Sequence, residues 1–257
     1  DFRSYFQERG QHCCGTRGAS EKLAAMRRLL VQLSDDRVNL VTDERNGFGS
    51  ILRKAIAKGL ERLPSRLLWL RTVFARWYHT KGKMYFQLEN GEVRIITVTR
   101  GVQQGDVFGM HFFAAGMDEA LQLLRAAFPE AFITGFADDV SGTPRADVTV
   151  ELSEEVQTYV EDCSQRDGEE GNLMAPFVGL KEAPEPLAIL ITWKHLGEKH
   201  AGLEVRFDKS GVGDPHGLLD EKAREAYGEV RLLPGVKVQG VPIGSYEYER
   251  DEANKVA

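Results

Sequence analysis

The run Ala131-Phe132-Ile133-Thr134-Gly135-Phe136-Ala137-Asp138-Asp139-Val140-Ser141-Gly142 decides how this chain folds. Its largely apolar first half reads as a strand over 131–137, Asp138-Asp139 as a tight turn, and Val140 as the start of a second short strand. Adjacent carboxylates repel, so a pair at a strand-to-strand turn is costly unless a cation lies beside it. Alone, an Asp-Asp turn is most often a polar turn and nothing more.

Asp43 changes that reading. It ends a short apolar strand over 38–42 and is followed by Asn46-Gly47-Phe48. With the two strands side by side, Asp43 and Asp138 reach the same edge of one sheet. There they can hold two Mg2+ ions, which prefer carboxylate oxygens plus substrate phosphates. Two such ions clamp the attacking and leaving oxygens of an in-line phosphoryl transfer. Between the two carboxylate segments lies Gly101-Val102-Gln103-Gln104-Gly105-Asp106-Val107-Phe108-Gly109. Its glycines let a backbone approach a ligand closely, just ahead of a helix N-terminus.

The flanking elements follow from periodicity and breakers. Residues 1–19 are polar and Gly-punctuated, and Leu23, Met26, Leu29, Leu30 and Leu33 repeat at helical spacing after Ser20-Glu21. Helices are expected over 50–62 and 65–79, separated by Leu63-Pro64. A hairpin is expected over 83–98 around Glu89-Asn90-Gly91. Further helices are expected over 106–128, stopped by Pro129, and over 186–200. A strand is expected over 203–207 and a closing hairpin over 236–243. Residues 142–183 are acidic and rich in Gly and Pro, with one short helix at 153–163, and read as an insertion. The order argues for an α+β domain with an antiparallel sheet backed by helices.

The composition, 42% hydrophobic and 28% charged, is that of a globular protein. The richest apolar run, 67–78, is cut by Arg71 and Arg76, so no membrane span or membrane partner is expected. Cys13, Cys14 and Cys163 show no metal-ligand spacing and read as reduced thiols. The first residues, Asp1-Phe2-Arg3, suggest a piece of a longer chain. The net charge of −6 hides two opposed segments. Residues 51–83 carry nine Lys or Arg against Glu61 alone, whereas 145–185 carry eleven Asp or Glu against Arg145, Arg166 and Lys181. A local basic surface, not the chain total, is what phosphate binding needs.

The order and wording of these segments resemble reverse transcriptases, most closely those of non-LTR (LINE-type) retrotransposons. Asp43-Glu44-Arg45-Asn46-Gly47-Phe48 is similar to that family's D-x-x-N-A-F palm motif. The 101–109 loop is similar to G-V-Q-Q-G-D-P-L-G, and Phe136-Ala137-Asp138-Asp139 to Y/F-A-D-D. Gly202-Leu203-Glu204-Val205-Arg206-Phe207-Asp208-Lys209-Ser210 resembles G-L-x-L-N-x-x-K-S/T, and Val238-Gln239-Gly240-Val241-Pro242-Ile243-Gly244 resembles V-L-G-x-P-I-G. The five motifs stand in the family's order.

The resemblance implies a polymerase palm over 37–245 with the acidic insertion at 142–183. Residues 1–36 would form the fingers–palm connecting segment, and 246–257 the start of a thumb or a linker. It implies an RNA-directed DNA polymerase that adds deoxynucleoside triphosphates to a primer on an RNA or DNA template. Asp43, Asp138 and Asp139 would bind two Mg2+ or Mn2+ ions, and Lys209 would donate a proton to pyrophosphate. Phe48 would exclude a 2′-hydroxyl, which argues against an RNA-dependent RNA polymerase. Gln104, Gly105 and Phe136 would meet substrate and template, and the hairpin with Gly240 and Gly244 would grip the primer. Arg66, Arg71, Arg76, Lys81 and Lys83 are the basic residues expected to meet a phosphate backbone. Fingers and thumb would lie elsewhere in the protein, and an intracellular, nuclear setting is implied. The departures are Val107-Phe108 in place of Pro-Leu, Gly47 in place of Ala, and the charged pair Glu44-Arg45. They leave open a catalytically inactive, reverse-transcriptase-derived scaffold or RNA-binding domain.

Overall fold

The computed structural model describes residues 2–78, 81–166, 168–219 and 225–255. The chain opens with helices α1 (Phe2–Glu8) and α2 (Ala19–Gln32), then strand β1 (Asn39–Val41). Helices α3 (Gly47–Ser50), α4 (Arg53–Glu61) and α5 (Trp69–Tyr78) precede the hairpin β2 (Gly82–Gln87) and β3 (Val93–Val98). Helix α6 (Gly109–Ala127) leads to β4 (Phe132–Phe136), β5 (Asp139–Thr143) and β6 (Thr149–Glu151). Then come α7 (Glu154–Ser164), α8 (Glu169–Met174), β7 (Glu182–Pro184) and α9 (Glu185–Leu196). The described elements end with β8 (Gly211–Gly213), β9 (Arg231–Leu233), β10 (Gly235–Val238), β11 (Val241–Gly244) and α10 (Tyr246–Asn254).

The main sheet runs β4-β5-β1-β8-β9. It is antiparallel except at its edge, where β9 pairs with β8 in parallel. Alternation along β1 divides two cores, because successive side chains leave a strand on opposite faces. Leu40 joins the large core with Ile133, Val140 and Val212, against Ile56 and Leu60 of α4, Phe112 and Leu121 of α6 and Ile189 and Trp193 of α9. Val41 turns to a small core of Ala24, Val236, Val238 and Ile243, supplied by α2 and the β10–β11 hairpin. The sheet is thus backed by α4, α6 and α9 on one face and covered by α2 and the β10–β11 hairpin on the other.

Small residues set how closely those helices pack. A Cβ at Gly59 of α4 would fall 1.8 Å from the Ala115 carbonyl oxygen of α6. Only glycine lets these two helices cross at that distance. Helix α9 is buried all round, as expected of a helix without a polar face. The acidic stretch caps α7 with Ser153, whose hydroxyl accepts the Val156 N–H, and starts the helix with Glu154 and Glu155. It contributes Val156, Tyr159, Val160, Cys163 and Phe177 to the large core.

Several sequence expectations need correction. Residues 203–207 do not form a strand. Leu203, Val205 and Phe207 alternate inward as expected, but the ladder is one bridge, Glu44 to Val205. The strand beside β1 is instead the glycine-bearing β8. The polar N-terminus holds α1, anchored by the fully buried Phe6. The expected helix over 50–62 breaks at Leu52, which is extended (φ −71°, ψ 124°). The helix after the glycine loop starts at Gly109, not Asp106. His79, the last residue of the expected 65–79 helix, lies outside the described residues. No helix among the described residues is long and apolar enough to cross a membrane.

Candidate active site

The β1–β5 register brings the carboxylates together. Val41 pairs with Ser141, and the Thr42 N–H donates to the Val140 carbonyl at 2.9 Å. Continuing that register sets Asp43 opposite Asp139. Asp138 occupies the turn between β4 and β5, which Ala137 opens in the left-handed region (φ +56°). Such a conformation costs a non-glycine residue on the order of 1 kcal/mol, and it aims the turn at the start of α3. There a Cβ on Gly47 would lie 2.6 Å from the Asp138 Cβ.

Burial pushes the Asp138 carboxyl up, with the Asp43 charge adding to it. Burial also raises Asp139, with Asp138 and Asp43 reinforcing the effect and a hydrogen bond from Gln239 opposing it. Burial together with neighbouring charge thus disfavours the ionised forms of Asp138 and Asp139, a penalty of the kind a nearby cation relieves. Among the described residues no group of three or more His, Cys, Asp or Glu side chains is arranged so that it could hold a metal ion. Mg2+ takes one or two carboxylates and draws its remaining oxygens from water and substrate phosphates.

Residues not singled out by the sequence hold this edge in place. The Ser210 hydroxyl accepts the Asp43 N–H at 3.3 Å and donates to the Arg206 carbonyl at 2.7 Å. The Arg206 N–H donates to the Asp43 carbonyl at 2.8 Å. Gln239, at the β10–β11 turn with φ +53°, donates to Asp139 Oδ2 at 2.9 Å. Glu44 is not a surface charge: its Oε1 accepts from Trp193 Nε1 (2.6 Å) and Thr42 Oγ1 (2.8 Å), and its Oε2 has no partner among the described residues. Burial drives its carboxyl well above the usual range, against those two hydrogen bonds. The sequence signal for Glu44 was the apolar alternation around it, which places position 44 inward.

The glycine loop docks on the segment after Asp43. The Val102 N–H donates to the Phe48 carbonyl (2.9 Å) and the Gly101 N–H to the Ile51 carbonyl (2.8 Å). Gly101 has φ +75°, and a Cβ there would meet the Phe48 and Gly49 carbonyl oxygens within 2.7 Å. Tyr78 clasps the other end: its hydroxyl donates to Asp106 Oδ2 (2.5 Å) and accepts the Gln103 N–H (3.1 Å). The Arg53 guanidinium lies over the Tyr78 ring and donates to the Gly101 carbonyl. Gln104 and Gly105 are left exposed at the tip.

The remaining predicted residues are dispersed around this centre. Phe48 is half-buried and stacked on Phe113, with centroids 4.6 Å apart. Phe136 is half-buried at the end of β4, and Lys209 is exposed beside Ser210. Gly240 turns the last hairpin with φ +80°, in open space. Gly244 instead makes a packing contact, since a Cβ there would meet Gly235 Cα at 2.4 Å. Arg66, Arg71, Arg76, Lys81 and Lys83 are all exposed. The basic run is smaller than its count, however. Lys58 and Arg62 pair with Glu119, and Arg71 with Glu61.

No family model matches the chain. Over 102 residues it is 36% identical to the retrotransposable element SLACS 132 kDa protein of Trypanosoma brucei gambiense, a match covering 38% of this chain and 8% of that protein. The chain thus spans less than a tenth of the curated relative it matches. Among solved structures, telomerase of Candida albicans, determined with a TWJ fragment of telomeric RNA, superposes with a TM-score of 0.51 at 11% identity, over 96% of this chain and 37% of that one. Telomerase of Candida tropicalis gives a TM-score of 0.44 at 9% identity, over 82% of this chain and 33% of that one. Over those 102 residues the chain is thus similar in sequence to a retrotransposon protein, and over nearly its whole length it shares a fold with a telomerase.

Proposed function

We propose that this domain is the palm of an RNA-directed DNA polymerase, joining a deoxynucleotide to a primer 3′-hydroxyl on an RNA or DNA template. The observation that carries the reading is the convergence of Asp43, Asp138 and Asp139 at one sheet edge, where burial, with the neighbouring charges adding to it, raises Asp138 and Asp139. Divalent ions bound there would supply charge for the attacking and leaving oxygens. Asp43 and Asp138 would hold them, with Asp139 beside them and fixed by Gln239. Phe48, supported from behind by Phe113, would limit the space at the sugar 2′ position. Gln104 and Gly105 would present backbone and amide groups to template and nucleotide. Exposed Lys209 would protonate the departing pyrophosphate.

Primer extension on poly(rA)/oligo(dT) with dTTP tests the reading. Addition of dT in Mg2+ or Mn2+, abolished by chelation and restored by the ion, is the expected result. A folded chain that adds no nucleotide in either ion but still binds primer–template would favour the inactive RNA-binding scaffold.

A further inference from the structure

Two tryptophans of α5 stand largely in solvent, Trp69 at 46% and Trp77 at 53% exposure. Trp193, the third tryptophan, is fully buried. At about 100° per residue, Trp69, Val73, Arg76 and Trp77 fall on one side of α5, and Arg66 is exposed in the 3-10 turn just before it. Leu70 and Phe74 take the core side. Phe108 of the glycine loop wedges between the tryptophans, edge-on to Trp69 at 5.5 Å and tilted against Trp77 at 6.1 Å. Phe2 extends the row beyond Trp69 at 6.1 Å. Beside Phe108, Val107 is 78% exposed. Neither Arg66 nor Arg76 forms an ion pair among the described residues.

About half of each tryptophan is left in solvent despite these ring contacts, and a contiguous exposed apolar patch marks an interaction site. The patch is ordered: its rings are braced by one another and by a loop that Tyr78 and Asp106 tie to the same helix. Unpaired arginines among exposed aromatic faces match one chemistry best. Phosphates take the guanidinium groups, and bases, each with a π-face, take the rings. The substitution of Val107-Phe108 for Pro-Leu, unexplained by the carboxylate site, supplies the ring that joins the two tryptophans.

We propose that Trp69, Phe108 and Trp77, with Arg66 and Arg76, form a stacking platform for single-stranded nucleic acid, which delivers the unpaired template strand to the 101–109 loop. The proposal rests on the polymerase reading for its destination, but not for the binding itself. The occupant is single-stranded because stacking on an exposed ring needs an unstacked base.

The test titrates the 257-residue chain with oligo(dT) and oligo(rU) of about a dozen nucleotides, reading tryptophan fluorescence and oligonucleotide anisotropy. Quenching is expected in the wild type. Trp69→Leu and Trp77→Leu should each weaken binding about tenfold without changing its salt slope. Arg66→Gln with Arg76→Gln should weaken binding and flatten the slope by about 1.4, at 0.7 per phosphate contact. Trp69→Phe and Trp77→Phe should largely restore affinity while losing the signal, and circular dichroism checks folding in each case. Binding without quenching, or unchanged affinity in a folded Trp69→Leu/Trp77→Leu chain, overturns the platform. Absence of oligonucleotide binding together with self-association that Trp77→Leu abolishes overturns it in favour of a protein interface. Asp138→Ala separates the two readings: it should leave quenching intact, so extension that fails with quenching retained bears on catalysis alone.

Discussion

Two hairpins of consecutive strands read alike in the sequence and live in opposite environments. β4–β5 turns through Ala137-Asp138, and β5 continues into pairing with β1, so Ile133 and Val140 are buried. β2–β3 turns through Asn90-Gly91 with a full six-residue register, Gly82 to Val98 through Gln87 to Val93. It pairs with no other strand among the described residues. Met84, Phe86 and Ile96 on one of its faces and Tyr85, Val93 and Ile95 on the other are each about half exposed, between 47% and 64%. Turn chemistry and alternation specify a hairpin; what lies on its two faces decides whether its turn can hold a charge in place. Only the embedded hairpin can keep crowded carboxylates fixed, since its neighbours on both faces leave the turn nowhere to move.

The largest expected difference is catalytic. Asp138→Ala should lower nucleotide addition by about a thousandfold or more, because removing a metal ligand removes transition-state charge stabilisation. It should leave the fold intact, because it relieves repulsion. The matching change in the other turn, Asn90→Ala, loses only a hydrogen bond from the Glu92 N–H and should leave addition unchanged. Equal losses from the two substitutions, measured as single-nucleotide addition by folded proteins, would break the comparison.

A matched glycine pair sharpens it. Gly47→Ala introduces a methyl 2.6 Å from Asp138 Cβ at a position without a positive φ. Gly91→Ala introduces one into open space at φ +82°. The first should displace Asp138, cutting addition about tenfold and destabilising by about 1–3 kcal/mol through overpacking. The second should cost about 1–2 kcal/mol of backbone strain, confined to the hairpin and without effect on addition. Urea denaturation and addition rates together distinguish the two. The contrast also bears on the family pattern, in which an alanine stands at the position of Gly47: here the turn closes down on the space that side chain would fill.

Much of this was legible before any coordinates. The matching strand-end contexts of Asp43 and Asp138 point to one sheet edge, but the strands they end are not side by side: β5 stands between β1 and β4, and the register sets Asp139 opposite Asp43. The helix over α6 and both tight hairpins followed from periodicity and from Asn90-Gly91 and Gln239-Gly240. Residues acting through long-range contact were not legible. Gln239 reaches Asp139 across 100 residues, and Ser210 reaches Asp43 across 167. No local pattern marks either. Glu44 stands out in the sequence only as a charged departure from the family pattern, and Trp193, which donates to it, comes from a helix whose uniform apolarity hides its partners. The 203–207 segment failed differently: its inward alternation was real, but a strand also needs a neighbour with free edges, and the sequence does not state which segment provides one.

Phe48 tests the middle of the range. Its ring stacks on Phe113 at an interplanar angle of 17°, so one face is committed to packing. As a gate it acts through its edge, and Phe48→Val should lower the preference for dNTP over NTP, as a ratio of kcat/KM values, by about 10–100-fold. Loss of the stack should cost about 1 kcal/mol in stability. A loss of stability with an unchanged ratio would assign Phe48 to the core alone.

The smallest effects are expected on the faces of β2–β3. Ile96→Thr and Phe86→Thr keep or improve β-propensity while removing exposed apolar area. Neither side chain is buried, so global stability should change by no more than about 0.5 kcal/mol. The hairpin itself is the weak unit, because two strands without a packed face are marginal on their own. Amide exchange should therefore be fast along β2 and β3 and slow along β1 and β5, with opening energies spread from near zero toward the global value. Should Ile96→Thr destabilise the whole domain by as much as a core substitution, about 2 kcal/mol or more, the hairpin would have to be covered in solution, and the contrast with β4–β5 would lose its basis. Should exchange be fast in both hairpins, the carboxylate turn would lack the rigidity on which its proposed role depends.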